Sequence, residues 1–287
     1  MEACASSHYW ARELNKLGHE VKLNPAHYVK AYLRGNKNDY NDALAIAEAV
    51  VRPEMRFVAV KTTEEQDIQA LHRLRARRIQ ERTALVNQIR GLLGEYGVVL
   101  PPGVSELKRR LPQLLEASDN GLSKRFRRLL GEGWHQLLEL EAHLAAYDRE
   151  LAQVVREHEA CRRLQTIPGF GPVVASAFFS QVGNGAGFRR GREVSASLGL
   201  VPRQHSSGGK AVLLGISKRG DPYLRGLLVH GARAVVRRSA GKEDRLSRWI
   251  QRMVQRRGHN KAVVALANKL ARVGWAILAH KTAWQAA

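Results

Sequence analysis

The chain has 287 residues, 44% of them hydrophobic, enough to build a sizeable core and too many for an intrinsically disordered polymer. Its formal charge is +21, from 47 Lys and Arg against 26 acids, so an anionic partner is the first expectation. Its two cysteines, Cys4 and Cys161, are too far apart in sequence to suggest a disulfide framework or a paired-cysteine zinc site.

The start carries no basic-then-apolar leader, and no uncharged run is long enough to cross a bilayer, so the sequence predicts a cytoplasmic protein with no membrane partner. Residues 8–17 read as a helix, Gly18-His19 as a turn, and Glu20-Val21-Lys22-Leu23 as a short strand ending at Asn24-Pro25. A helix then begins at Asn38-Asp39-Tyr40-Asn41-Asp42 and stops at Arg52-Pro53, and Arg56-Phe57-Val58-Ala59-Val60 is a strand or an extended linker. Asp39 and Asp42 share a helix face at i and i+3, which suits two ligands of one divalent cation. The same spacing also suits Asp39 as the helix cap with Asp42 in the first turn.

Residues 64–96 form a long charged helix in which Ile68, Leu71, Leu85, Ile89, Leu92 and Tyr96 follow a three-four repeat, with Arg75, Arg78 and Arg82 midway along the stripe. Beyond the Pro101-Pro102-Gly103 break, Leu137, Leu140, Leu144, Tyr147, Leu151 and Val154 make a heptad seam. Two such helices suggest an antiparallel coiled-coil arm, or equally an ordinary bundle core. The midway arginines are either a solvated face or an RNA contact.

Composition changes near Gln165. Residues 1–165 hold 26 bases and 22 acids, whereas 166–287 hold 21 bases and 4 acids, so the C-terminal part carries +17 of the +21. DNA or RNA is the leading partner, because phosphate neutralisation with counterion release is how such a domain gains affinity. An anionic membrane surface competes, but the bases are scattered through folded-looking segments. In Ile167-Pro168-Gly169-Phe170-Gly171-Pro172, two glycines in a tight turn precede a helix. Gly169 and Gly171 there suit a helix-hairpin-helix phosphate contact or a plain interhelical turn. The loop Arg203-Gln204-His205-Ser206-Ser207-Gly208-Gly209-Lys210 joins hydroxyls, flexible glycines and bases. A serine in it can attack a phosphodiester if Arg203, Lys210, Lys218 or Arg219 holds the phosphate charge, and His205 is the nearest base. A final helix spans 262–279 with Val263, Leu266, Leu270, Val273 and Ile277 on its apolar face.

Taken in order, Met1-Glu2-Ala3-Cys4-Ala5-Ser6, the 35–42 segment, Thr166-Ile167-Pro168-Gly169-Phe170-Gly171-Pro172 and the 198–209 segment resemble transposases of bacterial insertion sequences with a DEDD carboxylate set and a C-terminal serine. The resemblance implies a mainly α chain in three parts. Residues 1–62 would be an incomplete α/β part of RuvC-like, ribonuclease-H type, 63–163 a helical coiled-coil region, and 164–287 an α-rich transposase domain with the serine loop. It implies that Glu2, Asp39 and Asp42 are three of four magnesium-binding carboxylates and that Ser207, with Ser206 beside it, is the nucleophile. It also implies donor and target DNA and a bridge RNA as partners, and a homodimer or higher homo-oligomer. The family's first aspartate lies upstream of the glutamate. Met1 is therefore expected to mark a late start, a decayed element or a fragment, and the sheet to lack its opening strands. Two functions follow: a strand-transferring enzyme, or a non-catalytic nucleic-acid-binding remnant acting as repressor or passive partner of an intact copy.

Overall fold

A computed structural model describes residues 1–36 and 38–285; Lys37, inside the 35–42 segment, lies outside the described residues. The fold is mainly helical, and its contacts divide it into two compact units, one formed by residues 1–66 with 160–287 and the other by 67–159. In chain order the helices are α1 (Ser7–Lys16), α2 (Ala26–Val29) with a 3-10 turn (Lys30–Tyr32), α3 (Asp39–Val50), α4 (Thr63–Gly94), α5 (Val104–Glu116), α6 (Lys124–Glu157), α7 (Glu159–Gln165), α8 (Pro172–Val182) and α9 (Gly191–Ser197). The hairpin β1 (Pro202–Gln204) and β2 (Leu213–Ile216) follows, then α10 (Pro222–Arg238), α11 (Arg245–Arg257) and α12 (His259–His280).

Helix starts are chemically explicit. Thr62 and Glu65 form a reciprocal capping box on α4, with Glu65 N–H donating to Thr62 Oγ1 at 3.1 Å and Thr62 N–H to Glu65 Oε2 at 3.0 Å. Ser123 caps α6, and Asp221 caps α10 just ahead of Pro222. Asn38, not Asp39, caps α3: its side chain accepts from Asn41 N–H at 2.8 Å, so Asp39 and Asp42 both stand in the first turn. The cap expected at Asp39 is thus displaced by one residue, because Asn38 has the extended backbone that a cap requires.

The 67–159 unit is built on two antiparallel helices. Arg75 Nε donates to Asp148 Oδ1 at 2.6 Å and Arg82 to Glu141 Oε1 at 2.9 Å, so residues further along α4 meet residues earlier on α6. Arg78 donates to Glu81 on its own helix. The midway arginines of α4 are therefore engaged by carboxylates. The apolar stripe departs from the simple repeat towards the end of α4, where Val86, Ile89 and Leu93 are buried and Leu92 is exposed; Tyr96, exposed too, lies in the turn after the helix. The cause is α5, whose Leu107 and Leu111 enter a shared core with Leu93, Phe126, Leu130 and Leu137, rotating the required face. On α6, Leu137, Leu140, Leu144 and Leu151 are buried as the heptad predicts, with Val155 replacing Val154 at the end.

In the other unit, α12 is the central helix and packs against α9, α10 and α11. Val263, Leu266, Leu270 and Ile277 are buried, with Ala267, Ala271 and Gly274 beside them. Although α12 is long and apolar enough to cross a membrane by composition, half of its apolar window is buried as core. Phe178 of α8 is fully buried against Gly274 of α12, where a Cβ would lie 2.8 Å from the ring. The two strands read at 20–23 and 56–60 appear only as single-residue bridges, Glu2 with Asn24 in parallel and Leu23 with Val58 antiparallel. So few paired residues do not extend into a ladder.

Candidate functional site

The serine segment forms the outer part of a β-hairpin. Pro202 pairs with Ile216 and Gln204 with Leu213 across an irregular register, and Ser207 bridges Lys210 at the tip. Gly208 and Gly209 have φ of +54° and +77° between those two residues, and Lys210 N–H donates to Ser207 O at 3.0 Å. Two consecutive positive φ values make a two-residue turn of the primed kind, which only glycine adopts freely. Its side-chain demands separate the two serines. Ser206 Oγ accepts from Val212 N–H at 3.1 Å and from Gln204 Nε2 at 3.0 Å, so its hydroxyl belongs to the hairpin. Ser207 is exposed, and among the described residues its hydroxyl has no hydrogen-bond partner. His205 joins the hairpin through its backbone, N–H to Val212 O at 3.0 Å, and no hydrogen bond links its ring to Ser207.

The bases named from the sequence divide along the hairpin. Lys210 faces Ser207 across the turn and Arg203 lies on β1, both exposed. Lys218 and Arg219 lie at the root. There Lys218 takes φ +55°, its N–H donates to Gly199 O at 3.1 Å, and Arg225 of α10 donates to Arg219 O at 2.8 Å. The root is held by backbone packed on backbone. A Cβ on Gly199 would lie 2.7 Å from Lys218 C, and one on Gly220 would overlap Ser197 O. A non-glycine residue in the left-handed region costs of order 1 kcal/mol, and at Lys218 this backbone packing holds it there.

The turn ahead of α8 uses its two glycines differently. Gly169, at φ +87°, presses on α10: a Cβ there would lie 2.8 Å from Gly231 O and 3.0 Å from Val235 Cγ2. Its lack of a side chain serves helix packing. Gly171 caps α8, is exposed, and has no atom within 4 Å of the place a Cβ would take, so this end of the helix is open.

Of the three carboxylates, Asp39 is exposed and Asp42 half-buried on one face of the first turn of α3, and Glu2 is half-buried at the bridge to Asn24. Among the described residues no three His, Cys, Asp or Glu side chains gather closely enough to hold a metal ion. The Asp39–Asp42 pair has the donor chemistry for a hard divalent cation, but Glu2 does not complete a three-ligand group with it in this conformation. Asn24 beside Glu2 is fully buried, and among the described residues its Oδ1 has no hydrogen-bond partner.

A further basic element lies outside the residues singled out from the sequence. Helix α11 carries five arginines and no acid in 13 residues, capped by Asp244 with Ser247 N–H donating to Asp244 Oδ1 at 3.0 Å. Its sequence signal was the Asp244 cap followed by arginines at helical spacing, Arg245, Arg248, Arg252 and Arg256.

Residues 161–267 match the family described as "Transposase IS116/IS110/IS902 family", and residues 3–98 match a DEDD transposase family of the IS110 group, described as "Transposase". The second match begins one residue after Glu2. The chain is 48% identical over 286 residues to a "Probable family 20 transposase" of Pseudomonas aeruginosa, covering 99% of this chain and 85% of that protein. It is 46% identical over 285 residues to the "Transposase for insertion sequence element IS1111A" of Coxiella burnetii, covering 99% and 78%. A "Transposase for insertion sequence element IS1328" of Yersinia enterocolitica is 40% identical over 282 residues, covering 98% and 84%.

Proposed function

The chain belongs to the IS116/IS110/IS902 family of transposases, and from that premise we propose that it cuts and rejoins DNA through Ser207 during transposition of an insertion sequence, in the bacterial cytoplasm. The observation that carries the reading is the contrast between the two serines: Ser206 is tied into the hairpin, while Ser207 stands exposed at its tip with an unengaged hydroxyl. Ser207 Oγ attacks the scissile phosphorus, an Oγ–P ester forms, and the bond from phosphorus to the leaving sugar oxygen breaks. The serine proton is lost and the sugar oxygen gains one, so that reversal of the step by a second strand's hydroxyl rejoins DNA in a new connection. Lys210, across the turn, and Arg203 on β1 offset the charge that builds on the phosphate oxygens.

Asp39 and Asp42 would hold a magnesium ion, with Glu2 as the third carboxylate that the family resemblance implies, and a bound magnesium would supply charge neutralisation at the scissile phosphate. The N-terminal segment up to residue 62 is read as RuvC-like, the 63–163 segment as a coiled-coil arm, and the part from 164 as the transposase domain. A bridge RNA would serve as guide and a homodimer or higher homo-oligomer as the active form, since strand exchange needs more than one cutting centre.

Strand cleavage on DNA carrying the element's end, with magnesium and the guide RNA, tests this with wild type, Ser207→Ala and Ser206→Ala. Cleavage is expected in wild type, none in Ser207→Ala, and a reduced amount in Ser206→Ala. Equal cleavage by Ser207→Ala and wild type would remove the serine from the mechanism. Binding without cleavage by the wild-type chain would assign it to the non-catalytic class.

A further inference from the structure

Helix α11 is packed on one side and exposes arginines on the other. Ile250 and Ser247 are buried towards α12, and Gln251 Nε2 donates to Ser239 O at 2.7 Å and Lys242 O at 2.9 Å, fixing the helix to the loop that precedes it. Arg245, Arg248, Arg252 and Arg256 are exposed and fall within one arc of the helix, because steps of three, four and four residues return to nearly the same face. Among the described residues no carboxylate forms an ion pair with any of these four. Arg252 and Arg256, with Trp249, Met253 and Gln255, line a concavity of about 540 Å³.

The surroundings narrow the partner. A basic amphipathic helix inserts into a lipid surface through its apolar face, and here that face is packed on the protein. Single-stranded nucleic acid is gripped by stacking bases on aromatic rings. The aromatic residue of α11, Trp249, is half-buried with the Lys269 ammonium 4.7 Å from its ring centroid. What remains is a straight row of guanidinium groups, with successive members about 4.5 to 6 Å apart along the axis. One DNA strand presents a phosphate about every 3.4 Å along the duplex, so each arginine reaches a different phosphate.

We propose that α11 is a clamp for duplex DNA, its four exposed arginines gripping the phosphate backbone without reading sequence and holding the DNA against the domain that carries the Ser207 hairpin. The inference rests on the transposase reading, yet it concerns binding and not cleavage. It assigns the DNA grip to residues apart from both the serine hairpin and the turn before α8.

The test is equilibrium binding of the full chain to duplex DNA of arbitrary sequence over a series of salt concentrations, with Arg248→Ala/Arg252→Ala/Arg256→Ala and the matching triple lysine variant. Three lost phosphate contacts, at about 0.9 each, lower the slope of log affinity against log salt by about 2 to 3. The lysine variant keeps most of the slope. Melting temperature stays unchanged in both triple variants, since the replaced side chains are exposed. Duplex binding by the alanine variant within twofold of wild type, with the same slope, overturns the clamp. So does loss of binding to a hairpin RNA with duplex binding intact, which would make RNA the partner. If the wild-type chain does not bind duplex at any salt concentration, the transposase reading falls together with the clamp.

Discussion

Two glycines on α10, five residues apart, should respond to the same substitution with opposite sign. Gly226 has nothing within 4 Å of the position a Cβ would take, whereas a Cβ on Gly231 would overlap the Gly169 carbonyl oxygen and lie 3.2 Å from Gly169 C. Alanine gains about 1 kcal/mol over glycine in a helix interior, so Gly226→Ala stabilises by up to that amount. Gly231→Ala has the same gain, but it forces backbone apart where no flexible side chain can yield, at about 1 to 3 kcal/mol, for a net loss of up to about 2 kcal/mol. Gly169→Ala meets Gly231 O at 2.8 Å from the other side and also occupies φ +87°. The left-handed conformation adds about 1 to 2 kcal/mol, so its loss is about 2 to 5 kcal/mol. Thermal unfolding followed by circular dichroism, at about 2 to 4 °C per kcal/mol, orders the chains as Gly226→Ala, wild type, Gly231→Ala, Gly169→Ala. Equal upward shifts for Gly226→Ala and Gly231→Ala would refute the close approach of the turn to α10.

Other expectations follow from buried groups. His72 is buried on α4, and burial first, with the nearby Arg75 charge second, lowers its pKa from 6.5 to about 4. Its neutral form is favoured by folding, so this contribution is fully present above pH 6.5 and is lost as pH falls towards 4. At about 1.4 kcal/mol per unit it amounts to about 3.5 kcal/mol, and His72→Gln should flatten urea-unfolding stability across that pH interval. Wild-type and His72→Gln profiles that run parallel would contradict the assignment. The Cys161 thiol is buried and its pKa is pushed up to about 12, chiefly by burial and then by Glu64, while Cys4 is exposed. An alkylating reagent at neutral pH should therefore label Cys4 alone in the native chain and both thiols in denaturant, with mass spectrometry locating the label.

The parts legible in the sequence were those where one local rule dominates. The α12 face at Val263, Leu266, Leu270 and Ile277 and the α6 seam at Leu137, Leu140 and Leu144 are repeats with one partner surface, and the structure buries them. Leu92 broke the pattern because α5 turned the buried face of α4 towards Leu93, a tertiary demand with no local signal. Helices α10 and α11 carry ordinary start signals in Asp221-Pro222 and Asp244, but no long apolar repeat like that of α12 marks them. In the serine loop the residue types were readable. The distinction between Ser206 and Ser207 required the hairpin, which engages one hydroxyl and leaves the other bare.

The central claim is that Ser207 becomes joined to DNA. A duplex carrying the element's end and a nick just beyond the scissile bond lets the departing fragment diffuse away and traps the joined state. Incubation with the full chain, magnesium and guide RNA, followed by protease digestion and tandem mass spectrometry, locates the nucleotide. A phosphodiester on Ser207 is expected, absent from Ser207→Ala and unaffected in position by Ser206→Ala. Cleaved DNA with no protein-linked nucleotide, or a nucleotide on any other residue, would contradict it.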